Sequence, residues 1–268
     1  MDKHFFFIAF IFLPLTVLSR SRVVCDTVRS EILNADRHFS VYLPPSYDNE
    51  CADKKYPVLY LLHGMSQTDM DWVYRGHVQE VADRLAYSGE ADKMVIVMPD
   101  AGGDIYAGVW NGYFDMPGWS YEKYFFDEFL PYIERKYNII GDKNHRAVAG
   151  LSMGGGGATG YGLWHSDMFS SVYAMSALMD IPEKGAAKFD RPDDKLAILT
   201  KTVMERSCIR FVKEADDIIL GKLRTVKWFI DCGDDDFLLD RNIEFFHAMR
   251  NAGVECQFRV RDGGHDWE

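Results

Sequence analysis

The stretch "VAGLSMGGGGATGYG", Val148 to Gly162, holds two overlapping motifs. Gly150-Leu151-Ser152-Met153-Gly154 is the G-x-S-x-G turn of a serine hydrolase, whereas Gly155-Gly156-Gly157-Ala158-Thr159-Gly160 is the G-x-G-x-x-G turn of a dinucleotide-binding protein. In the second reading Gly155, Gly157 and Gly160 bring a pyrophosphate to a helix N-terminus, and Asp180 stands about 20 residues on, where an acid would hold the ribose. In the first, Ser152 occupies a sharp turn between the strand "HRAVAGL" and a helix that starts near Met153. Gly150 and Gly154 are then required because a strained nucleophile turn leaves no room for side chains on either side. Whichever chemistry holds, the small residues Gly155 to Gly157 let that helix pack closely on its neighbours.

The surrounding chain decides between them. Nearly continuous apolar runs such as "YPVLYLLHG" and "KMVIVMPD" read as strands buried on both faces, and "SVYLPPSY", "HRAVAGL", "FSSVYAMSA", "VKWFIDCG" and "ECQFRVRD" complete a set of seven. Helical spacing appears between them, at His77 to Tyr87, Tyr121 to Tyr137, Met153 to Trp164 and Leu238 to Asn251, the last stopped by Gly253. Strands alternating with helices predict an α/β fold with a mostly parallel sheet covered on both faces. No repeat or linker marks a second domain, so one domain over 22–268 is expected. Asp180 to Arg224, the least periodic part, is expected to form an excursion over the carboxyl edge of the sheet, where loops carry function.

A hydrolase on this sheet needs an acid and then a histidine after the serine, each at the carboxyl end of a strand. Of eight histidines, only His247 and His265 follow Ser152 and a strand-ending acid, and His247 lies within the helical stretch "NIEFFHAMR". His265 follows "ECQFRVRD" in "GGHDW", where Gly263 and Gly264 let the backbone swing an imidazole over the sheet edge. The acid should follow "VKWFIDCG", where the sequence offers Asp231, Asp234, Asp235 and Asp236, with Asp240 a turn further on; Asp231 is inside the strand, which leaves the loop. Two N–H groups must also face the developing oxyanion. The residue after the nucleophile, Met153, supplies one, and Met65 in His63-Gly64-Met65 is the natural source of the other. His63 itself comes too early in the chain to be the base.

Together "LYLLHGMSQTDMDW", "AGLSMGG", "CGDDDFLLDRN" and "GGHDW" resemble, in this order and over most of the chain, an esterase family of α/β-hydrolases. That family includes tributyrin, feruloyl and acetylxylan esterases, S-formylglutathione hydrolases and secreted mycolyltransferases. The resemblance implies the α/β-hydrolase fold without a separate lid domain, Ser152 as nucleophile, His265 as base, Asp236 as the orienting acid, and the Met65 and Met153 amides as the oxyanion hole. Asp69 and Trp72 match a family D-x-x-W element that supports the loop. Relatives usually continue past the histidine with a helix on the sheet, whereas this chain stops at Glu268, which raises the expectation of a truncated end.

The partner expected is a small-molecule or polysaccharide-linked ester, with no cofactor and no metal. A net charge of −11 without a Lys/Arg cluster argues against nucleic acid and anionic membranes. The five cysteines have no zinc-ligand spacing; Cys25 could pair with Cys51, while Cys232 and Cys256 read as small buried hydrophobes. The apolar run Phe5 to Leu18 is short of the roughly 20 residues that span a bilayer and reads as a secretory signal over 1–21, with a retained anchor as the alternative. Trp110, Tyr113 and Trp119 follow "KMVIVMPD" and are candidates to line the pocket and stack on an aromatic acyl group or a sugar. Feruloyl or acetyl esters on plant polysaccharide are the substrates expected. An acyltransferase on the same residues, or a non-catalytic carbohydrate-binding protein on a hydrolase scaffold, is the alternative.

Overall fold

The computed structural model describes residues 20–45, 47, 54–104, 106–182 and 195–267. The apolar run Phe5 to Leu18, expected to be a secretory signal, and Cys51, the partner considered for Cys25, lie outside the described residues. The strands are β1 (Arg22–Ser30), β2 (Ala35–Leu43), β3 (Val58–Leu62), β4 (Val95–Pro99), the short pair β5 (Asp115–Met116) and β6 (Trp119–Ser120), then β7 (Arg146–Leu151), β8 (Ser171–Met175), β9 (Lys227–Gly233) and β10 (Cys256–Arg261). Eight of them form one sheet in the order β1-β2-β4-β3-β7-β8-β9-β10, parallel from β4 through β10 and antiparallel at the β1-β2-β4 edge.

Side chains alternate across a strand, and here both faces are apolar. Val58, Tyr60 and Leu62 of β3 join the larger core with Val95, Val97 and Val148, while Leu61, Ile96, Met98 and Ala149 join a second core on the opposite face. This is why the central strands read as unbroken apolar runs. Full burial of one such side chain contributes about 1.5–3 kcal/mol, so the centre of the sheet is the rigid base from which the strand ends project.

The seven strands expected from the sequence all form. β1 is an addition: as an edge strand with polar residues between Val23, Val24 and Val28, it carries only a half-buried pattern and escapes a reading based on apolar runs. The helices are α1 (Asp71–Tyr74), α2 (Val78–Ser88), α3 (Tyr121–Tyr124), α4 (Leu130–Lys136), α5 (Met153–Trp164), α6 (Lys195–Glu205), α7 (Cys208–Glu214), α8 (Asp217–Leu223) and α9 (Leu239–Asn251). Where one helix was expected over Tyr121 to Tyr137, a π-helical turn at Phe125–Phe129 separates α3 from α4. Pro131 lacks an N–H and its ring crowds the carbonyl four residues back, at Asp127, so the backbone widens there instead of continuing as α-helix. From Lys195 on, the excursion between β8 and β9 carries three helices, α6, α7 and α8, the last two capped by the Ser207 and Asp216 side chains.

Arg146, at the start of β7, ties the strand that ends at Ser152 to its surroundings. Its Nε and Nη2 donate to the two oxygens of Glu134 on α4 at 2.7 and 3.1 Å, and its Nη1 donates to the Met168 carbonyl at 2.7 Å. Both side chains are largely out of solvent, 5% and 13% exposed, so removing one leaves the other charge unpaired in the interior. Arg146→Ala is expected to lose at least about 3 kcal/mol and to lower the thermal midpoint by roughly 10 °C in a melt followed by circular dichroism. A midpoint within about 2 °C of wild type contradicts this account of the pair.

Candidate active site

Ser152 follows β7 directly and has φ 55° and ψ −118°, a left-handed conformation rare for a residue with a side chain. The turn closes so tightly that a Cβ on Gly150 would stand 2.2 Å from the Gly154 carbonyl oxygen, and one on Gly154 would stand 2.3 Å from the Leu62 carbonyl oxygen. The Ser152 N–H donates to Met175 O and its carbonyl accepts from the N–H groups of Gly156 and Leu178, all at 2.9–3.0 Å. The helix begins at Met153 and its first intrahelical bond is made by the Gly156 N–H, so Gly156 to Gly160 have their N–H groups committed to α5 and the glycine run forms no loop to cradle a pyrophosphate. Gly155, Gly156 and Gly157 instead allow close packing: their missing Cβ atoms would meet Ala177, the Leu178 carbonyl and Tyr113 at 2.7, 2.2 and 2.8 Å.

The Ser152 hydroxyl donates to Nε2 of His265 at 2.9 Å, and Nδ1 of His265 donates to Oδ2 of Asp236 at 2.8 Å, the tautomer this network requires. Two loops bring these groups together. The Asp234 and Asp235 N–H groups donate to Arg261 O and Gly263 O at 2.8 and 3.0 Å, and the Gly263 N–H donates back to Asp234 Oδ1 at 3.0 Å. Asp234 and Asp235 remain exposed, while Asp236 turns inward. Burial pushes the Asp236 carboxyl up, but hydrogen bonds from the Ser176 hydroxyl, the Leu238 N–H and His265 outweigh it and hold the group below its ordinary range. His247 is exposed on α9, away from this cluster.

His265 is placed near the end of the chain by ring contacts. Trp267 meets Trp72 edge to face at 5.0 Å, and the Phe237 ring lies 4.6 Å from the imidazole. Trp72 thus acts on the loop that carries His265 as well as on its own. Asp69, buried, accepts a hydrogen bond from Ser40 and holds the start of that segment. The sequence offered no signal for Ser176 or for Asn242, a fully buried side chain on α9 whose amide donates to Ala177 O at 2.9 Å and accepts from Ala177 N at 3.3 Å.

The peptide between Gly64 and Met65 is fixed in direction. Nδ1 of His63 donates to Gly64 O at 2.8 Å, Nε2 of His63 accepts from Ala101 N at 3.0 Å, and Gly64 N donates to the Gln67 side chain at 2.9 Å. Because a peptide unit is planar and trans, holding the Gly64 carbonyl on one side directs the Met65 N–H to the other. Met65 and Met153 line the same cleft as Ser152 and His265, an open cavity of about 530 Å³.

A narrower slot, about 90 Å³, adjoins it and shares Met65, Met153 and Leu178 with the cleft. Tyr113 lines the slot, is 1% exposed and donates its hydroxyl to His63 O at 3.1 Å. Trp110 and Trp119 lie outside the linings of both cavities, contrary to the expectation that all three aromatics line the pocket. Trp119 stacks on Tyr121 at 5.6 Å, donates to Gly112 O and carries Arg37 over its ring, so its surface is spent on packing. Helix α6 of the excursion forms one wall of the slot through Leu199 and Val203. Cys232 is buried, which pushes its thiol up to about 11; Cys256, half-buried on the last strand, is pushed to about 12.

The lowered Asp236 carboxyl gives a stability signature. A carboxyl whose folded pKa lies below its unfolded value stabilises the fold above the unfolded value, near 4, and loses that contribution as pH falls through the folded one. Asp236→Asn is therefore expected to melt below wild type at neutral pH, with the gap closing below about pH 4 in melts run across pH. A gap that widens on acidification contradicts it.

Comparison with known proteins identifies relatives of the chain. Residues 30–268 match the family model described as "Putative esterase". A solved structure titled ferulic acid esterase is 63% identical, with a TM-score of 0.88 over 93% of this chain and 92% of that one. An acetyl esterase of Caldicellulosiruptor saccharolyticus is 26% identical over 78% of this chain and 77% of its own length. An S-formylglutathione hydrolase of Staphylococcus aureus, at 22% identity and a TM-score of 0.73 over 93% of this chain and 94% of that one, shares the fold. With a mostly parallel sheet flanked by helices and a family match running from Ser30 to the end, the chain belongs to this esterase family of α/β-hydrolases and is a carboxylic ester hydrolase.

Proposed function

We propose that the chain is a serine esterase that hydrolyses feruloyl or acetyl esters through an acyl-enzyme on Ser152. The observation that carries the reading is the hydrogen-bonded line from Ser152 through His265 to Asp236, at 2.9 and 2.8 Å, in an open cleft. His265 takes the proton of the Ser152 hydroxyl as its oxygen attacks the ester carbonyl, and Asp236 holds the imidazole and stabilises its protonated form. The Met65 and Met153 N–H groups receive the oxyanion, each worth about 3 to 4 kcal/mol to the transition state. His265 then returns the proton to the departing alcohol, and a water repeats the sequence to release the acid.

The substrate follows from shape and kinship. The open cleft suits the alcohol side, which can be a bulky glycan, and the narrow apolar slot suits a flat acyl group. The relatives named above are a ferulic acid esterase and an acetyl esterase, and a bifunctional endo-1,4-beta-xylanase/feruloyl esterase of Xylanibacter ruminicola is 34% identical over 118 residues, 43% of this chain and 16% of that longer protein. Polysaccharide-linked esters outside the cell fit an exported chain. Export is proposed from the apolar run Phe5 to Leu18, with the cut ahead of Ser21. Ser21 is 7% exposed and its hydroxyl donates to Asp83 at 2.5 Å, a contact that cleavage after Ser21 would remove.

Initial rates on p-nitrophenyl acetate and methyl ferulate test the reading. Wild type is expected to cleave both, Ser152→Ala to lose nearly all turnover with an unchanged melt, and Asp236→Asn to lose about 10⁴-fold in kcat because the imidazole takes the wrong tautomer. Substantial turnover by a clean, folded Ser152→Ala preparation sinks the assignment. N-terminal sequencing of the exported protein checks the cut; a first residue beyond Ser21 contradicts the proposed position.

A further inference from the structure

The slot beside Ser152 is apolar along its length but ends on charge. It follows one face of α5, past Met153, Gly157 and Gly160, to Trp164. The Trp164 ring folds back over Gly160, where an added Cβ would lie 3.3 Å from it, so the far end stands seven residues, or about 10 Å of helix rise, from Met153. There the lining includes Glu122 and Arg206. Glu122 is 8% exposed. One of its oxygens accepts from Arg206 Nη2 at 2.5 Å and the other from His165 Nε2 at 2.8 Å. The guanidinium lies over the Trp164 ring at 4.5 Å, which keeps it flat against the wall.

An acid and a guanidinium beside an apolar slot are not needed to hold an acetyl group. Each Glu122 oxygen has lone-pair capacity beyond the one bond it accepts, and a guanidinium has more N–H donors than the bond to Glu122 uses. The pair therefore presents a charged acceptor next to a charged donor, a match for a group that both donates and accepts. A phenolic hydroxyl is such a group. The slot is lined by the rings of Tyr113, Phe114, Tyr161 and Trp164, and its length is of the order of a phenylpropenoyl chain.

Resting on the assignment of Ser152 as nucleophile, we propose that Glu122 and Arg206 are specificity-determining residues that select 4-hydroxylated cinnamoyl groups. The phenol O–H donates to the Glu122 carboxyl and its oxygen accepts from Arg206, while the ring lies in the slot between Tyr113 and Trp164. The carbonyl carbon then stands at Ser152. Neither residue was singled out by the sequence, because they come from the start of α3 and the short turn between α6 and α7 and meet only in the folded chain.

Three methyl esters separate this from packing alone: 4-hydroxycinnamate, cinnamate and 4-methoxycinnamate, with p-nitrophenyl acetate run alongside. For wild type, kcat/KM is expected to favour the hydroxylated ester over both others by about tenfold or more, the usual scale for a hydrogen bond to a charged group. In Glu122→Gln the ratio of hydroxylated to unsubstituted ester is expected to fall toward one, mostly through KM, provided the melt shows a folded protein. If that variant fails to fold, the wild-type ratios decide. Equal rates on hydroxylated and unsubstituted esters, a penalty confined to the bulkier methoxy ester, or a folded Glu122→Gln with an unchanged ratio each overturn the proposal. A wild type inactive even on p-nitrophenyl acetate overturns the Ser152 reading beneath it instead.

Discussion

The turn at Ser152 is the constraint on which the rest of the site depends. A residue with a side chain at φ 55° is held there against its own preference, at a cost of order 1–3 kcal/mol, and the chain stays put because the surroundings leave no alternative. Gly150 and Gly154 let β7, the Leu62 carbonyl and the first turn of α5 come into contact, and hydrogen bonds to Met175, Gly156 and Leu178 lock the peptide on each side. The same geometry lifts the hydroxyl above the sheet edge and points the first N–H groups of α5 toward the space beside it. The hydroxyl and the Met153 N–H proposed to receive the oxyanion are thus set by one turn.

Everything else at the site is brought to that point by the parallel strands. Their carboxyl ends deliver Met65 from β3, Ser176 from β8, Asp236 from β9 and His265 from β10 to one edge. Loop-to-loop hydrogen bonds of Asp234 and Asp235 with Arg261 and Gly263 carry Asp236 to His265, and the Trp72–Trp267 contact anchors the last loop. A buried His63 directly after β3 does for the Gly64–Met65 peptide what Asp236 does for the imidazole: it fixes a direction.

How much of this the sequence discloses follows from how local each cause is. The central strands were legible because both faces bury apolar side chains, and α5 was legible because a glycine-rich turn must precede it. Motif order brought up Ser152 and His265 as candidates, since each sits in a short stretch whose composition its turn demands, and the family resemblance singled out Asp236 among neighbouring acids. The edge strand β1 was missed for lack of an apolar run, and the π-turn for lack of any pattern beyond Pro131. Ser176, Asn242, Glu122 and Arg206 act through partners distant in the chain, so no local pattern marks them. Trp119 failed as a pocket residue for a related reason: an aromatic in a loop near the site packs on whatever the fold brings to it, here Tyr121 and Arg37.

Covalent capture tests the central claim most directly. An alkyl fluorophosphonate reacts with an activated serine hydroxyl by displacement of fluoride, and peptide mapping by mass spectrometry then locates the adduct. One phosphonyl group per chain, on the peptide that contains Ser152 and absent when His265 is replaced, is the result predicted. An adduct on another residue, or none in protein that cleaves an ester, contradicts it.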